Sequence, residues 1–468
     1  MKGRELVKLG IPRGPGLKLA LQLIGEATRV GLSHSQIRKE IRAIAGDPES
    51  HLRHPHFAEL AHFLSARTKG PATHTTWEAR PERAPWKMWG RDIEPEAIKQ
   101  MENASELPVA VSGALMPDAH LGYGLPIGGV LATDDAIIPY AVGVDIACRM
   151  RMTVLDMPAR ELKGARNRLI RVLEEETRFG LGAQFKQPND HPVMEEDWGF
   201  TALTRKLQPK AHRQLGTSGS GNHFVEFGTL TLSEPELGLK AGTYLALLSH
   251  SGSRGPGHAI ASHYSKLAKE LHPELPKHLR HLAWLELDSA SGREYWESMQ
   301  LMGRFAAANH ELIHQAILRS LHAKRLASVE NHHNFAWIEK HSGREVVVHR
   351  KGAIPAGKGL LGIIPGSMAT PAFVVRGKGA SESLESAAHG AGRLMSRKRA
   401  KASLTWSAVR KDLEKCGVTL LSADLDEAPM AYKDIHSVMA AQKDLVRVIA
   451  RFDPRIVKMA PPGERPED

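Results

Sequence analysis

Four short stretches of this chain combine side chains that bind metals or phosphate groups, and a fifth offers a nucleophile. In "AVGVDIACRM", Asp145 and Cys148 lie three residues apart, so a carboxylate and a thiolate on one turn could reach the same ion. A sulfur ligand suits Mn, Zn or Fe rather than Mg. Alone, Cys148 would read as a buried structural cysteine. In "GTSGSGNHFVEFG", glycines and serines fit a phosphate-side loop before Asn222 and His223, and Glu226 could accept bonds from a base edge. "LSHSGSRGPGH" puts His250 at the end of an apolar strand and Arg254 in the glycine loop beyond, available to a phosphate oxygen. "ENHHNFAW" offers His332, His333 and Asn334. Neighbours on an extended segment face opposite ways, so one histidine of that pair is expected to be a ligand.

The fifth stretch, "AAHGAGRLMSRKRAKAS", sets His389 among residues with almost no side chain, just ahead of Arg393, Arg397, Lys398, Arg399 and Lys401. Small residues admit a bulky ligand close to the backbone, and successive N–H groups there favour an anion. A neutral imidazole is a competent nucleophile toward phosphorus, and with an ordinary pKa of about 6.5 much of it is neutral near pH 7. The basic run could hold a second, polyanionic substrate. Together the stretches supply an Asp, a Cys and three His in loop contexts, enough for one or two ions clamping phosphate oxygens. No C-x-x-C pair and no H-E-x-x-H occurs, which argues against a zinc finger and a zincin protease.

The elements that must position these groups alternate. Residues 1–68 read as helices, broken by "IPRGPG" at 11–16, with Ser33 or Ser35 as an N-cap. Residues 69–86 read as a linker and 87–468 as the main domain. There, "RMRMTVLDM", "TYLALLSH" and "REVVVHR" are strands, "ARELKGARNRLIRVLEEE" and "HAIASHYSKLAKEL" helices, 294–327 a long helix, and 351–368 irregular. Without clean βαβ repetition or a G-x-G-x-x-G after a strand, the expected class is α+β built around glycine-rich loops.

The totals agree with that. A chain of 468 residues, 42% hydrophobic and 25% charged, can bury a large core. A net charge of +11 favours a polyanionic partner, nucleic acid rather than membrane. No stretch approaches the roughly 20 apolar residues of a membrane helix. The start lacks the apolar core of a secretion signal, and two cysteines, Cys148 and Cys416, make no disulfide framework, so a cytoplasmic location is expected.

The motifs "MPDAHLGYGLPIGGV" (116–130), "GVDIACRM" (143–150), "GSGNHFVEF" (219–227), "HSGSRGPG" (250–257), "HHNFAW" (332–337), "PGSM" (365–368), "HGAGRLMSRKRA" (389–400) and "EAPMAYKDI" (427–435) resemble, in order, those of the RtcB RNA-splicing ligases. The likeness covers about 85–452. It implies an RtcB-like mixed α/β catalytic domain that joins RNA 3′-phosphate or 2′,3′-cyclic phosphate ends to 5′-hydroxyl ends, using GTP and Mn²⁺. It implies that His389 becomes guanylylated and that Asp145, Cys148, His223, His250 and His333 hold two manganese ions bridged by Cys148. It further implies guanylate contacts from Asn222, His223, Phe224, Val225, Glu226, His333, Asn334, Pro365, Gly366, Ser367, Met368, the His389, Gly390, Ala391 and Gly392 loop, and Lys433. An archease-type activator is an implied partner.

Three features depart from the family pattern. Arg149 replaces the glycine usual after the motif cysteine, Ala372 stands where a nucleotide-bonding serine is common, and residues 1–68 lie outside the shared core. The rival readings are a metal-dependent RNA-end phosphodiesterase and an RNA-end binder without ligation. Neither needs His389, and a binder has no chemical need for Cys148.

Overall fold

The computed structural model describes residues 5–6, 9, 11, 15–68, 77–78 and 80–464. The chain forms two compact units, Met1–Thr75 with Gly199–Ala202, and Thr76–Trp198 with Leu203–Asp468. Within the segment expected to be a linker, 69–76 lie outside the described residues. The rest is fastened to the larger unit: Trp77 donates its N–H to Glu274, Arg80 donates to the Leu107 and Ala110 carbonyls, and the Ala84 N–H reaches Ser105.

In the smaller unit, helices Pro15–Arg29, His34–Gly46 and Ala58–Thr68 bury Leu23, Ala27, Ile37, Ile41, Ile44 and Leu60 against one another. Ser33, not Ser35, caps the second helix. It accepts the Gln36 N–H while the Gln36 side chain accepts the Ser33 N–H, a capping box. Residues 12–14 of the expected break lie outside the described residues.

The larger unit is α+β, with two main sheets. An eight-stranded sheet runs Leu361–Ile364, Ala372–Gly377, Val446–Met459, Phe224–Leu232, Gly242–Ser251, Arg149–Pro158, Arg325–His332, with Thr419–Ser422 added beside Val446–Met459. Alternation splits its residues between two cores. Val225, Phe227, Leu245 and Leu247 pack outward under Leu169 and Leu173 of helix Arg166–Glu176 and Ile313 and Ile317 of the long helix Ala290–Leu321. Met150, Met152, Leu230, Leu248, Val329, Ile363, Val374 and Phe452 fill the opposite face. That inner face wraps on itself, because Asn331 on the last strand accepts the Ile363 N–H on the first at 2.8 Å and donates to the Ile363 carbonyl at 3.5 Å. The second sheet orders Trp86–Met88, Ala110–His120, Ile127–Thr133, Arg344–Lys351 and Phe335–His341.

Three sequence expectations shift. The long helix stops at Leu321, because His322 takes a left-handed backbone (φ 51°) and caps it. Residues 325–327 then belong to a strand pairing with Arg149–Pro158. The 159–176 helix is broken at Ala165 into Glu161–Gly164 and Arg166–Glu176. The stretch 351–368 contains strands Ala353–Pro355 and Leu361–Ile364, tertiary pairing having overridden its glycine content.

Candidate active site

Alternation also delivers the site. Cys148 continues the inner-face series of Met150 and Met152, and His250 that of Ala246 and Leu248, so both emerge at one end of the wrapped sheet. Asp145 joins them through a turn in which the Cys148 N–H reaches the Asp145 carbonyl at 3.3 Å. His223 stands just before strand Phe224–Leu232, and His333 just after strand Arg325–His332.

The donor atoms converge. Cys148 Sγ lies 3.3 Å from His223 Nε2 and 3.0 Å from His250 Nε2. His223 Nε2 is 3.1 Å from Asp145 Oδ2, and His250 Nε2 is 3.3 Å from His333 Nε2. The atoms form two triads sharing the sulfur, Asp145–Cys148–His223 and Cys148–His250–His333. All five residues are buried. Burial drives the His250 imidazole down to about 3 and His333 well below its ordinary value, with the neighbouring imidazoles adding to the fall. Neutral nitrogens, one sulfur and one carboxylate fit a divalent transition ion, and two triads on one sulfur fit a pair. His250 Nδ1 meets the Asn222 carbonyl at 3.1 Å, which aims Nε2 at the cluster. Gly252 leaves the room Asp145 needs, since a Cβ there would overlap its carboxylate.

Beside the cluster opens a cavity of about 730 Å³. Asn222, Phe224, Glu226, His333, Asn334, the turn Pro365, Gly366, Ser367, Met368, and the loop His389, Gly390, Ala391, Gly392 all line it, together with Asp145, Cys148 and His250. The His389 ring stands 4.9 Å from the His333 ring, centroid to centroid. Burial pushes the Glu226 carboxyl well above its ordinary range. His332 turns away from the cluster and packs on Phe335 and Trp337.

Some expected residues are placed elsewhere. The Val225 side chain points into the outer core. Lys433 donates from Nζ to the Ala119 carbonyl at 2.7 Å, and its N–H reaches Gly392 at 3.0 Å, so it ties the His389 loop to the 116–120 strand end. Arg254 is not available to a phosphate: it is buried, donating to Thr217 Oγ1 at 3.1 Å and to the Gly180 carbonyl. The basic run is largely engaged within the protein. Arg397 pairs with Asp426 at 3.1 Å and with Glu427, Arg393 lies 3.4 Å from Glu427, and Lys401 pairs with Asp424 at 2.7 Å. Lys398 and Arg399 are exposed. Arg149 is buried, donating to Glu330 and to the Gly303 carbonyl at 3.3 Å, while Arg151 reaches Glu330 at 3.1 Å. Ala372 lines the cavity, where its methyl makes no hydrogen bond.

Two site residues escaped sequence reasoning. Asp118, fully buried, accepts from His389 Nδ1 at 2.8 Å and from the His389 and Gly390 N–H groups at 3.2 and 3.3 Å. A carboxylate only accepts, so Nδ1 carries the proton and Nε2 keeps its lone pair. Gly392 (φ 72°) makes this possible, since a Cβ there would run into the Asp118 carbonyl. Lys351 lines the cavity and donates to the Tyr123 carbonyl at 2.6 Å, and burial lowers its ammonium to about 7. Lys351 ends an apolar strand, the same signal that marked His250.

A buried metal-type cluster abutting an oriented imidazole, at the mouth of a nucleotide-sized cavity, has the groups that phosphoryl or nucleotidyl transfer needs. The family model for tRNA-splicing ligase RtcB matches residues 100–459. RNA-splicing ligase RtcB of Escherichia coli (strain K12) is 36% identical over 409 residues, covering 79% of this chain and 95% of that protein. RNA-splicing ligase RtcB of Mycobacterium bovis is 32% identical, covering 76% and 98%, and tRNA-splicing ligase RtcB of Nanoarchaeum equitans 31%, covering 77% and 91%. The chain belongs to the RtcB family. Among the described residues no helix is long and apolar enough to cross a membrane.

Proposed function

We propose that this chain is a GTP- and Mn²⁺-dependent RNA ligase that joins RNA 3′-phosphate or 2′,3′-cyclic phosphate ends to 5′-hydroxyl ends through guanylylated His389. The observation carrying this is the Asp118–His389 pair, which presents an Nε2 lone pair at a cavity bounded by the metal-type cluster. Nε2 attacks the α-phosphorus of GTP; a P–N bond forms, the bond to the β-phosphate oxygen breaks, and pyrophosphate leaves. The RNA 3′-phosphate then displaces the imidazole and takes the GMP. The 5′-hydroxyl attacks the activated 3′-phosphorus, closes the phosphodiester and releases GMP. A cyclic phosphate is first opened by water to a 3′-phosphate.

Glu226 faces the cavity three residues beyond His223; burial favours its neutral form in the empty site, and the two adjacent N–H donors on the Watson–Crick edge of guanine would stabilise the carboxylate and pair with it. Adenine lacks that pair of donors, so Glu226 favours GTP over ATP. Asp145, Cys148 and His223, and Cys148, His250 and His333, would hold the ions. When bound, Mn²⁺ supplies charge neutralisation at the phosphates and acidifies the attacking hydroxyl. The sulfur donor disfavours Mg²⁺ and the carboxylate accepts Mn²⁺. The implied archease-type activator would act on this same cycle.

α-Labelled GTP incubated with Mn²⁺ should leave an acid-labile label on the wild-type protein and none on His389→Ala. A label that persists on folded His389→Ala would overturn the assignment.

A further inference from the structure

The helix His34–Gly46 sorts its residues by charge as well as by hydropathy. Ile37, Ile41 and Ile44 are buried, and on the opposite face Ser35, Arg38, Lys39 and Arg42 follow the i, i+3, i+4, i+7 pattern of a single stripe. All four are exposed, and the three cations form no ion pair among the described residues. The helix's own Glu40 faces His54 instead, 3.8 Å away. The stripe extends about 10 Å at 1.5 Å per residue. Helix Pro15–Arg29 leads into it through Val30–Ser33, where Gly31 (φ 95°) makes the turn, and Arg29 is exposed beside it.

We propose that this face is an RNA-backbone docking surface, which grips a duplex arm of the RNA whose ends the larger unit joins. This rests on the ligase reading for the choice of RNA. Unpaired guanidinium and ammonium groups in one row complement a row of phosphates. Ser35, Ala43 and Gly46 between and beside them are short and let a helix edge approach. A membrane partner would need an apolar face exposed along this helix, and its Ile37, Ile41 and Ile44 are spent on the unit's own core. Gln36, the helix's one amide, is held in the capping box, so the stripe offers charge and shape rather than base readout. That matches the wide, shallow minor groove of A-form RNA.

The test uses the full chain and a hairpin RNA with a 3′-phosphate, titrated by fluorescence anisotropy at several KCl concentrations. Arg38→Gln/Lys39→Gln/Arg42→Gln should raise Kd about 10-fold or more and reduce the slope of log K against log salt by about 2–3. Arg38→Lys/Arg42→Lys should restore binding. His389 guanylylation and the joining of short single-stranded ends should be unchanged, and hydrogen exchange at the buried Ile37, Ile41 and Ile44 amides should match wild type, which shows that the smaller unit still folds. An unchanged Kd and slope overturns the proposal, as does tighter wild-type binding to a DNA hairpin of the same sequence. Titration needs no turnover, so a protein that joins nothing would sink the ligase reading and leave this one to be decided by the slope.

Discussion

His333 and His389 stand side by side and are built for different work. His333 lies within a cluster of donors with His250 and His223, and burial drives the His250 and His333 imidazoles down. His389 has a carboxylate behind it, Asp118, which fixes its tautomer and can stabilise charge appearing on the ring. Burial among other imidazoles favours a neutral ring suited to holding a metal, whereas a buried acid at Nδ1 favours a ring suited to attack through Nε2. The residue type is the same, and the neighbour sets the role.

The division breaks most visibly at the sulfur. Cys148→Ser replaces a thiolate common to both triads by a hydroxyl that ionises poorly, so manganese binding and every step should fall by roughly 100-fold or more. Isothermal titration with Mn²⁺ and a joining assay check this, and full ligation by the variant would dissolve the distinction. His389→Ala should abolish adduct formation and joining of a 3′-phosphate end, yet still seal RNA whose 3′-phosphate is already capped with GMP. His333→Ala should fail on both substrates. If His389→Ala cannot seal the capped end while folded and metal-loaded, His389 also positions that end or moves a proton. Asp118→Asn should slow guanylylation by about 100- to 10,000-fold, because the amide no longer enforces the Nδ1–H tautomer, while Mn²⁺ affinity stays the same. A parallel loss of metal would show that the two sets of histidines are one.

The convergence of Asp145, Cys148, His223, His250 and His333 beside His389 was legible because these residues sit in glycine-rich or strand-end contexts that leave a local trace. His250 could be placed at the end of an apolar strand, and Cys148 beside Asp145, from local sequence alone. Asp118 could not, because its partner His389 is 271 residues away. Charge was the least legible property. The run after His389 is the densest in the chain, and Asp424, Asp426 and Glu427, which engage much of it, bear no periodic relation to it. Arg38, Lys39 and Arg42 are fewer, and all three are exposed without an ion pair among the described residues. Arg254 looked free beside glycines and is a buried brace, because its partners, Thr217 and the Gly180 carbonyl, come from segments far along the chain. The strands inside 351–368 were hidden for a related reason: their stability comes from partners far along the chain.

Asn331 has a dynamic consequence. Along most of the eight-stranded sheet, neighbours are fastened by repeated main-chain bonds, so separating them means breaking several at once. Between Leu361–Ile364 and Arg325–His332 a single side-chain amide spans the gap, and a rotamer change can release it. Local opening should therefore start there, with the Ile363 amide exchanging with solvent faster than the ladder amide of Leu248, and faster still in Asn331→Ala. Hydrogen exchange read by mass spectrometry would show it. His333 lies two residues beyond Asn331 and Pro365 two beyond Ile363, so each breath along that line loosens one metal-type ligand and one wall of the nucleotide cavity together.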